Sequence, residues 1–186
     1  DDFTQALTTF SSISQNIVYA DIEGNIGMYC AAGIPIREGS GLEIMPGETD
    51  QYDWQGFVPF EKLPHTYNPD CGYVSSANNK TVSDAYPFHI SHWFDLSYRI
   101  DRIRQMLTET EKPGVDDFKA MQSDVKAIIA EKMTPTIIEE VNKKEKLSEA
   151  EREAVKLLAE WDFVMDKNKP QPAIFETFYI NYMENI

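Results

Sequence analysis

The chain has 186 residues, 42% of them hydrophobic, enough for one domain with a buried core. Its 17 Lys and Arg stand against 31 Asp and Glu, and the net charge of −14 repels phosphate backbones and anionic headgroups, which argues against nucleic acid or a membrane surface as partner. The apolar runs are only a few residues long, so no membrane span is expected, and the opening D-D-F-T-Q-A-L has none of the basic and apolar regions of a signal peptide.

Phe3, Ala6, Leu7 and Phe10 share one helical face and predict a first helix stopping near Ser11 and Ser12. From Gln15 the pattern becomes β-prone: N-I-V-Y-A-D and I-G-M-Y-C-A flank a turn carrying Gly24 and Asn25, which predicts a hairpin over about residues 16–30. Residues 37–69 hold too many Gly and Pro for long elements, and Tyr52, Trp54, Phe57 and Phe60 between them predict a packed aromatic connection. Cys30 and Cys71 are too few for a disulfide framework and read as small core residues, with one bridge between them left open.

The stretch from Asn68 to Leu107 is the least generic. Asn68, Pro69 and Gly72 make a turn, after which Tyr73, Val74 and Ser75 predict a short strand over 72–76 that leads to the consecutive Asn78 and Asn79. His89, His92 and Asp95 have a superficial metal-ligand spacing, but no fourth ligand accompanies them and no metal is assigned. Arg99 opens a helix marked by Ile100, Ile103, Met106 and Leu107. A guanidinium and a side-chain amide facing one pocket suit a carbonyl or carboxylate ligand, although Asn-Asn is also ordinary turn chemistry.

After Pro113-Gly114, Phe118, Met121, Val125, Ile128 and Ile129 predict one helix ending before Pro135, with Thr134 and Pro135 capping the next. Ser148 and Glu151 form a capping-box pattern ahead of Val155, Leu158 and Trp161. Pro170 and Pro172 bound a turn, and Phe175, Phe178, Tyr182 and Ile186 form a final apolar stripe that expects a partner. The charge run from Glu139 to Glu153 reads as a solvated face.

Three blocks, in order, resemble the penicillin acylase family of N-terminal-nucleophile hydrolases. They are S-Q-N-I-V-Y-A-D-I-E-G-N-I-G followed by G-I-P-I-R; D-W-Q-G-F-V-P-F-E; and G-Y-V-S-S-A-N-N leading through Y-P to R-I-D-R-I. The resemblance implies an α+β chain, part of an αββα sandwich, with a hairpin and long packed loops over 1–95 and a helical part over 96–186. By the same resemblance Asn78 supplies a side-chain donor to the oxyanion hole, Arg99 organises polar contacts around the nucleophile, and Gln15 lies at the wall of the acyl-binding pocket.

It further implies a small N-acyl substrate, a periplasmic or secreted parent, and, as partners, the remainder of a β subunit and an α subunit. No cofactor is expected; a structural calcium is possible in the parent, without ligands assignable here. The family's nucleophile is an N-terminal Ser, Cys or Thr, and Asp1 has neither hydroxyl nor thiol. The expectation is therefore an interior β-subunit fragment that lacks its nucleophile and is inactive alone. The alternatives are a non-catalytic acidic binding or structural module of the same fold and, less favoured, a carboxylate-pair hydrolase, for which no acid pair has a distinctive setting.

Overall fold

The computed structural model describes residues 2–39 and 41–185. Asp1 and Ile186 lie outside the described residues, and with them the expectations placed on the missing nucleophile and on the last residue of the apolar stripe. The chain divides into two compact units, 1–100 and 101–186. Among the described residues there are three strands and six α-helices, an α+β composition as expected, with all three strands in the first unit. No helix among them is long and apolar enough to cross a membrane.

In the first unit, α1 (Asp2–Leu7) stops short of Phe10. The hydroxyls of Thr8 and Thr9 take the carbonyls of Gln5 and Ala6 at 2.7 and 3.0 Å, competing with the next helical turn. The hairpin forms as predicted: β1 (Gln15–Ala20) pairs antiparallel with β2 (Ile26–Ala31), Ile17 opposite Tyr29. Its turn is organised by Asp21, whose carboxylate accepts from the backbone N–H of Glu23 and Asn25 and from the Asn25 side chain, while Gly24 takes a φ of 88°. The amide bonds from Asn25, ahead of the other contacts, hold the Asp21 carboxyl below the usual carboxylate range.

The third strand corrects the sequence reading. It is β3 (His65–Tyr67), paired with β2 at Tyr29↔His65 and Gly27↔Tyr67, whereas residues 72–76 form no strand. Asn68 ends β3 with a φ of 45°, its side chain bonded to Ile26 N–H and to Asn25, and the Pro69–Gly72 turn then carries the chain away from the sheet. The core gathers Leu7, Tyr29, Ala31, Ile34, Val58 and Leu63. Tyr29 lies between the stacked rings of Phe60 and His65, with centroids at 4.6 and 4.8 Å, so the aromatic connection does pack on the sheet. Both cysteines are free: Cys30 is half-buried, with its thiol pKa pushed up by burial, and Cys71 is exposed and no core residue.

α2 (Tyr98–Glu109) starts where Arg99 predicted. The single helix expected before Pro135 is instead two, α3 (Val115–Gln122) and α4 (Ile128–Asn142), because Lys126 is drawn into a bridge with Val164. Pro135 then falls inside α4 instead of opening a helix. An interior proline costs about 3 kcal/mol. α4 nevertheless runs on, because Ala130, Met133, Ile137 and Ile138 pack into the core of Leu158, Trp161 and Phe175. α5 (Glu149–Ala159) has the predicted capping box, with Ser148 Oγ accepting from Glu151 N–H at 3.2 Å and Glu151 accepting from Ser148 N–H at 2.8 Å. The side-chain hydrogen bond from Lys144, then those from Ser148, lower the Glu151 pKa to about 2.

The predicted Pro170–Pro172 turn is the first turn of α6 (Pro170–Glu184), where missing N–H groups have no intrahelical acceptor to lose. In this unit Arg102 donates through Nε and Nη2 to both oxygens of Asp124 at 2.9 and 2.7 Å, with side chains only 19% and 20% exposed. The Arg102 hydrogen bond is the largest cause of a depressed Asp124 pKa, against the opposing effect of burial. A depressed carboxylate stabilises the fold fully above its unfolded pKa, and that contribution is lost as pH falls through the folded value. Asp124→Asn is therefore expected to lower unfolding free energy at pH 7 by about 1.5–3 kcal/mol, the usual worth of a hydrogen bond to a charged group, with the gap to wild type narrowing below about pH 4. Urea titrations at pH 7 and pH 3 read it directly, and equal stabilities at pH 7 would show that the pair contributes nothing.

Candidate active site

Asn78 and Arg99 meet in the first unit. Ala77 is buried, Asn78 takes a left-handed φ of 58°, and the following loop returns so that Asp95 N–H donates to the Asn78 carbonyl at 2.9 Å. Asparagine is among the few side chains that tolerate this backbone geometry. From the first turn of α2, Arg99 Nη2 reaches back to the Ala77 carbonyl at 3.0 Å, to Asn78 Oδ1 at 2.9 Å and to the Asp95 carboxylate.

The two asparagines do different work. Asn79 turns its side chain inward, Oδ1 accepting from Ala77 N–H at 3.1 Å and Nδ2 donating to the Lys80 carbonyl at 3.0 Å. That is local turn chemistry. Asn78 faces a guanidinium, which has donors and no acceptor, so only its amide oxygen can point there. Its Nδ2 then points the other way and, among the described residues, donates to no acceptor. The result is an oriented N–H donor, polarised from behind by a cation and anchored at its backbone, suited to an oxygen that acquires negative charge.

The third predicted residue is not part of this group. Gln15 begins β1 and is exposed; strand alternation puts it on the face of Ile17 and Tyr19. The adjacent Asn16 points the other way, and its Nδ2 bonds Ser76 Oγ at 2.7 Å, tying β1 to the loop two residues before Asn78. On the Ile17 face, an aromatic concavity of about 430 Å³ is lined by Phe3, Tyr19, Tyr29, Phe60 and Tyr67. Among the described residues no three His, Cys, Asp or Glu side chains gather as a metal set. His89 and His92 stack on each other at 6.0 Å.

The sequence matches the Penicillin amidase family over residues 1–186. The chain belongs to the penicillin amidase family. It is 32% identical over 113 residues to penicillin acylase 2 proenzyme of a Pseudomonas species, covering 60% of this chain and 15% of that protein. It is 29% identical over 179 residues to the acyl-homoserine lactone acylase QuiP of Pseudomonas syringae pv. tomato, covering 90% of this chain and 21% of the relative. Penicillin G acylase of Escherichia coli is 40% identical over 79 residues, 41% of this chain and 9% of that protein.

A solved structure of the thermostable penicillin G acylase from Alcaligenes faecalis superposes with a TM-score of 0.64 at 23% identity, covering 88% of this chain and 30% of its own. That likeness bears out the expected fold, that of an N-terminal-nucleophile hydrolase. The chain thus spans between about a tenth and a third of the length of these relatives.

Proposed function

We propose that this chain is the part of an acyl-amide hydrolase that carries the oxyanion donor, Asn78, and the arginine that orients it, Arg99. The observation that carries this reading is the Arg99 Nη2 bond to Asn78 Oδ1, which leaves Asn78 Nδ2 directed outward. Family membership supplies the reaction class: acyl transfer from an amide to a nucleophile and then to water. The nucleophile, activated by its own α-amino group, belongs to a segment outside these 186 residues, in keeping with the small share of each relative that the chain spans.

In that reaction the nucleophile adds to the acyl carbon and the carbonyl electron pair moves to oxygen. Asn78 Nδ2 donates to the oxyanion so formed, and collapse of the tetrahedral state expels the amine, which takes the proton that the nucleophile had passed to its own α-amino group. Water then releases the acid. Substrates are penicillin-type amides, acyl-homoserine lactones or related N-acyl compounds, in line with the names of the relatives. Gln15 is assigned to the wall of the acyl pocket, where its amide makes that wall more polar than an aliphatic side chain would. The partners are the rest of the β subunit and an α subunit, and the periplasmic or secreted placement of the parent is inferred from the same kinship.

The test is hydrolysis of a chromogenic acyl anilide and of acyl-homoserine lactones by the full-length, processed protein. Turnover is expected there and not from the 186-residue chain alone. Arg99→Lys is expected to lower kcat by on the order of tenfold or more, about one charge-assisted hydrogen bond, because an ammonium cannot reproduce the contacts a planar guanidinium makes at once. Turnover by the isolated chain would refute the placement of the nucleophile. A processed protein inactive on every N-acyl substrate would leave the non-catalytic module as the better reading.

A further inference from the structure

Asp95 holds both halves of the donor pair through two different groups. Its backbone N–H donates to the Asn78 carbonyl at 2.9 Å, and its carboxylate accepts from the same Arg99 nitrogen that donates to Asn78 Oδ1. The contacts close a ring: Asn78 backbone to Asp95 backbone, Asp95 side chain to Arg99, Arg99 to the Asn78 side chain. We propose that Asp95 is a positioning residue of the amidohydrolase site, setting the Arg99 guanidinium so that the Asn78 amide is held in one orientation. The proposal rests on Asn78 being the oxyanion donor.

A contribution to folding alone is a poor account of this arrangement. The Arg99 and Asp95 side chains are 57% and 52% exposed, and an exposed pair four residues apart adds little to stability. Its effect on geometry is larger. Arg99 is a long side chain with several rotatable bonds, and its other two acceptors, the Ala77 carbonyl and Asn78 Oδ1, are neutral. Among the described residues Asp95 supplies the only charged acceptor for that nitrogen, and it does so from a backbone already fixed to Asn78. Without the carboxylate, the guanidinium has alternative rotamers in water, and the Asn78 amide loses the partner that forbids its flip. Displacement of an oriented group by about 1 Å costs on the order of 100-fold in rate.

The experiment uses the full-length, processed protein and measures kcat and KM for Asp95→Ala, Asn78→Ala and the double variant, with processing and melting temperature checked for each. Asp95→Ala is expected to lower kcat at least tenfold at nearly unchanged KM, and Asp95→Glu to recover part of the loss. The double variant is expected to be no slower than Asn78→Ala alone, because a residue acting through Asn78 has nothing left to position. Losses that multiply in the double variant, or a normal kcat for Asp95→Ala beside a crippled Asn78→Ala, overturn the role of Asp95 while the proposed function stands. A normal Asn78→Ala overturns the proposed function itself. If Asp95→Ala is not processed, Asp95→Asn, which keeps shape and backbone N–H and removes only the charge, carries the same comparison.

Discussion

Replacing Asn78 by alanine in the full-length, processed protein is expected to lower kcat by about 100- to 1,000-fold, with KM nearly unchanged. The side-chain amide meets a carbonyl oxygen that is only partly negative in the bound substrate and fully anionic in the tetrahedral state, so its loss falls on the transition state. One complication is built into the backbone. Asn78 sits at a φ of 58°, where a Cβ-bearing residue without a local polar group is disfavoured by about 1–2 kcal/mol. Alanine therefore removes the donor and strains the turn together. Asn78→Gly separates the two, since glycine accepts this geometry freely and has no amide to donate. If both variants lose kcat equally, the missing donor is the cause. If Asn78→Gly turns over normally once processing is confirmed, the oxyanion assignment is wrong, and the pair Asn78-Asn79 is turn chemistry throughout.

What the sequence disclosed follows from how local each determinant is. The β1–β2 hairpin is legible because the bonds that shape its turn, those of Asp21, all lie between Tyr19 and Asn25, with Asn68 only adding to them from outside. The capping box of α5 was legible for the same reason: Ser148 and Glu151 are three residues apart. β3 was not, because its three residues owe their conformation to Gly27, Met28 and Tyr29, roughly forty positions away, and they follow a proline within a segment dense in turn residues. Pro135 reads as a helix boundary by a local rule, and the distant packing of Phe175 and Leu158 overrides it.

At the site, the types and order of residues pointed to Asn78 and Arg99 through family resemblance, while composition and spacing left them an ordinary loop and an ordinary surface arginine. Their meeting depends on the path from 79 to 97, which has no regular structure and therefore no periodicity to read. In the sequence Asp95 stands out only beside His89 and His92. The usable signal is different: an acid four residues ahead of an arginine at a helix start, near enough along the chain for the two to pair.

Phe175→Ala is expected to destabilise the helical unit by about 3–5 kcal/mol, the usual cost of emptying a large aromatic site. Phe175 is 1% exposed and packs between Trp161, at a centroid separation of 5.8 Å, and Tyr179, at 5.9 Å, in a cluster closed by Ala130 and Leu158. Ala130 is fully buried, and the neighbouring helix backbones leave little freedom to collapse into the space, which places the change toward the upper part of that range. The readout is intrinsic. Trp54 and Trp93 are 61% and 83% exposed, whereas Trp161 is 5% exposed, so the fluorescence change on unfolding reports the ring that touches Phe175. Urea titration should show an early midpoint at an unchanged slope. Tyr182→Ala on the same helix, at a residue 49% exposed, should move the midpoint far less. If the two variants shift the midpoint equally, the helical unit is not organised around Phe175, and the packing that carries α4 through Pro135 has another source.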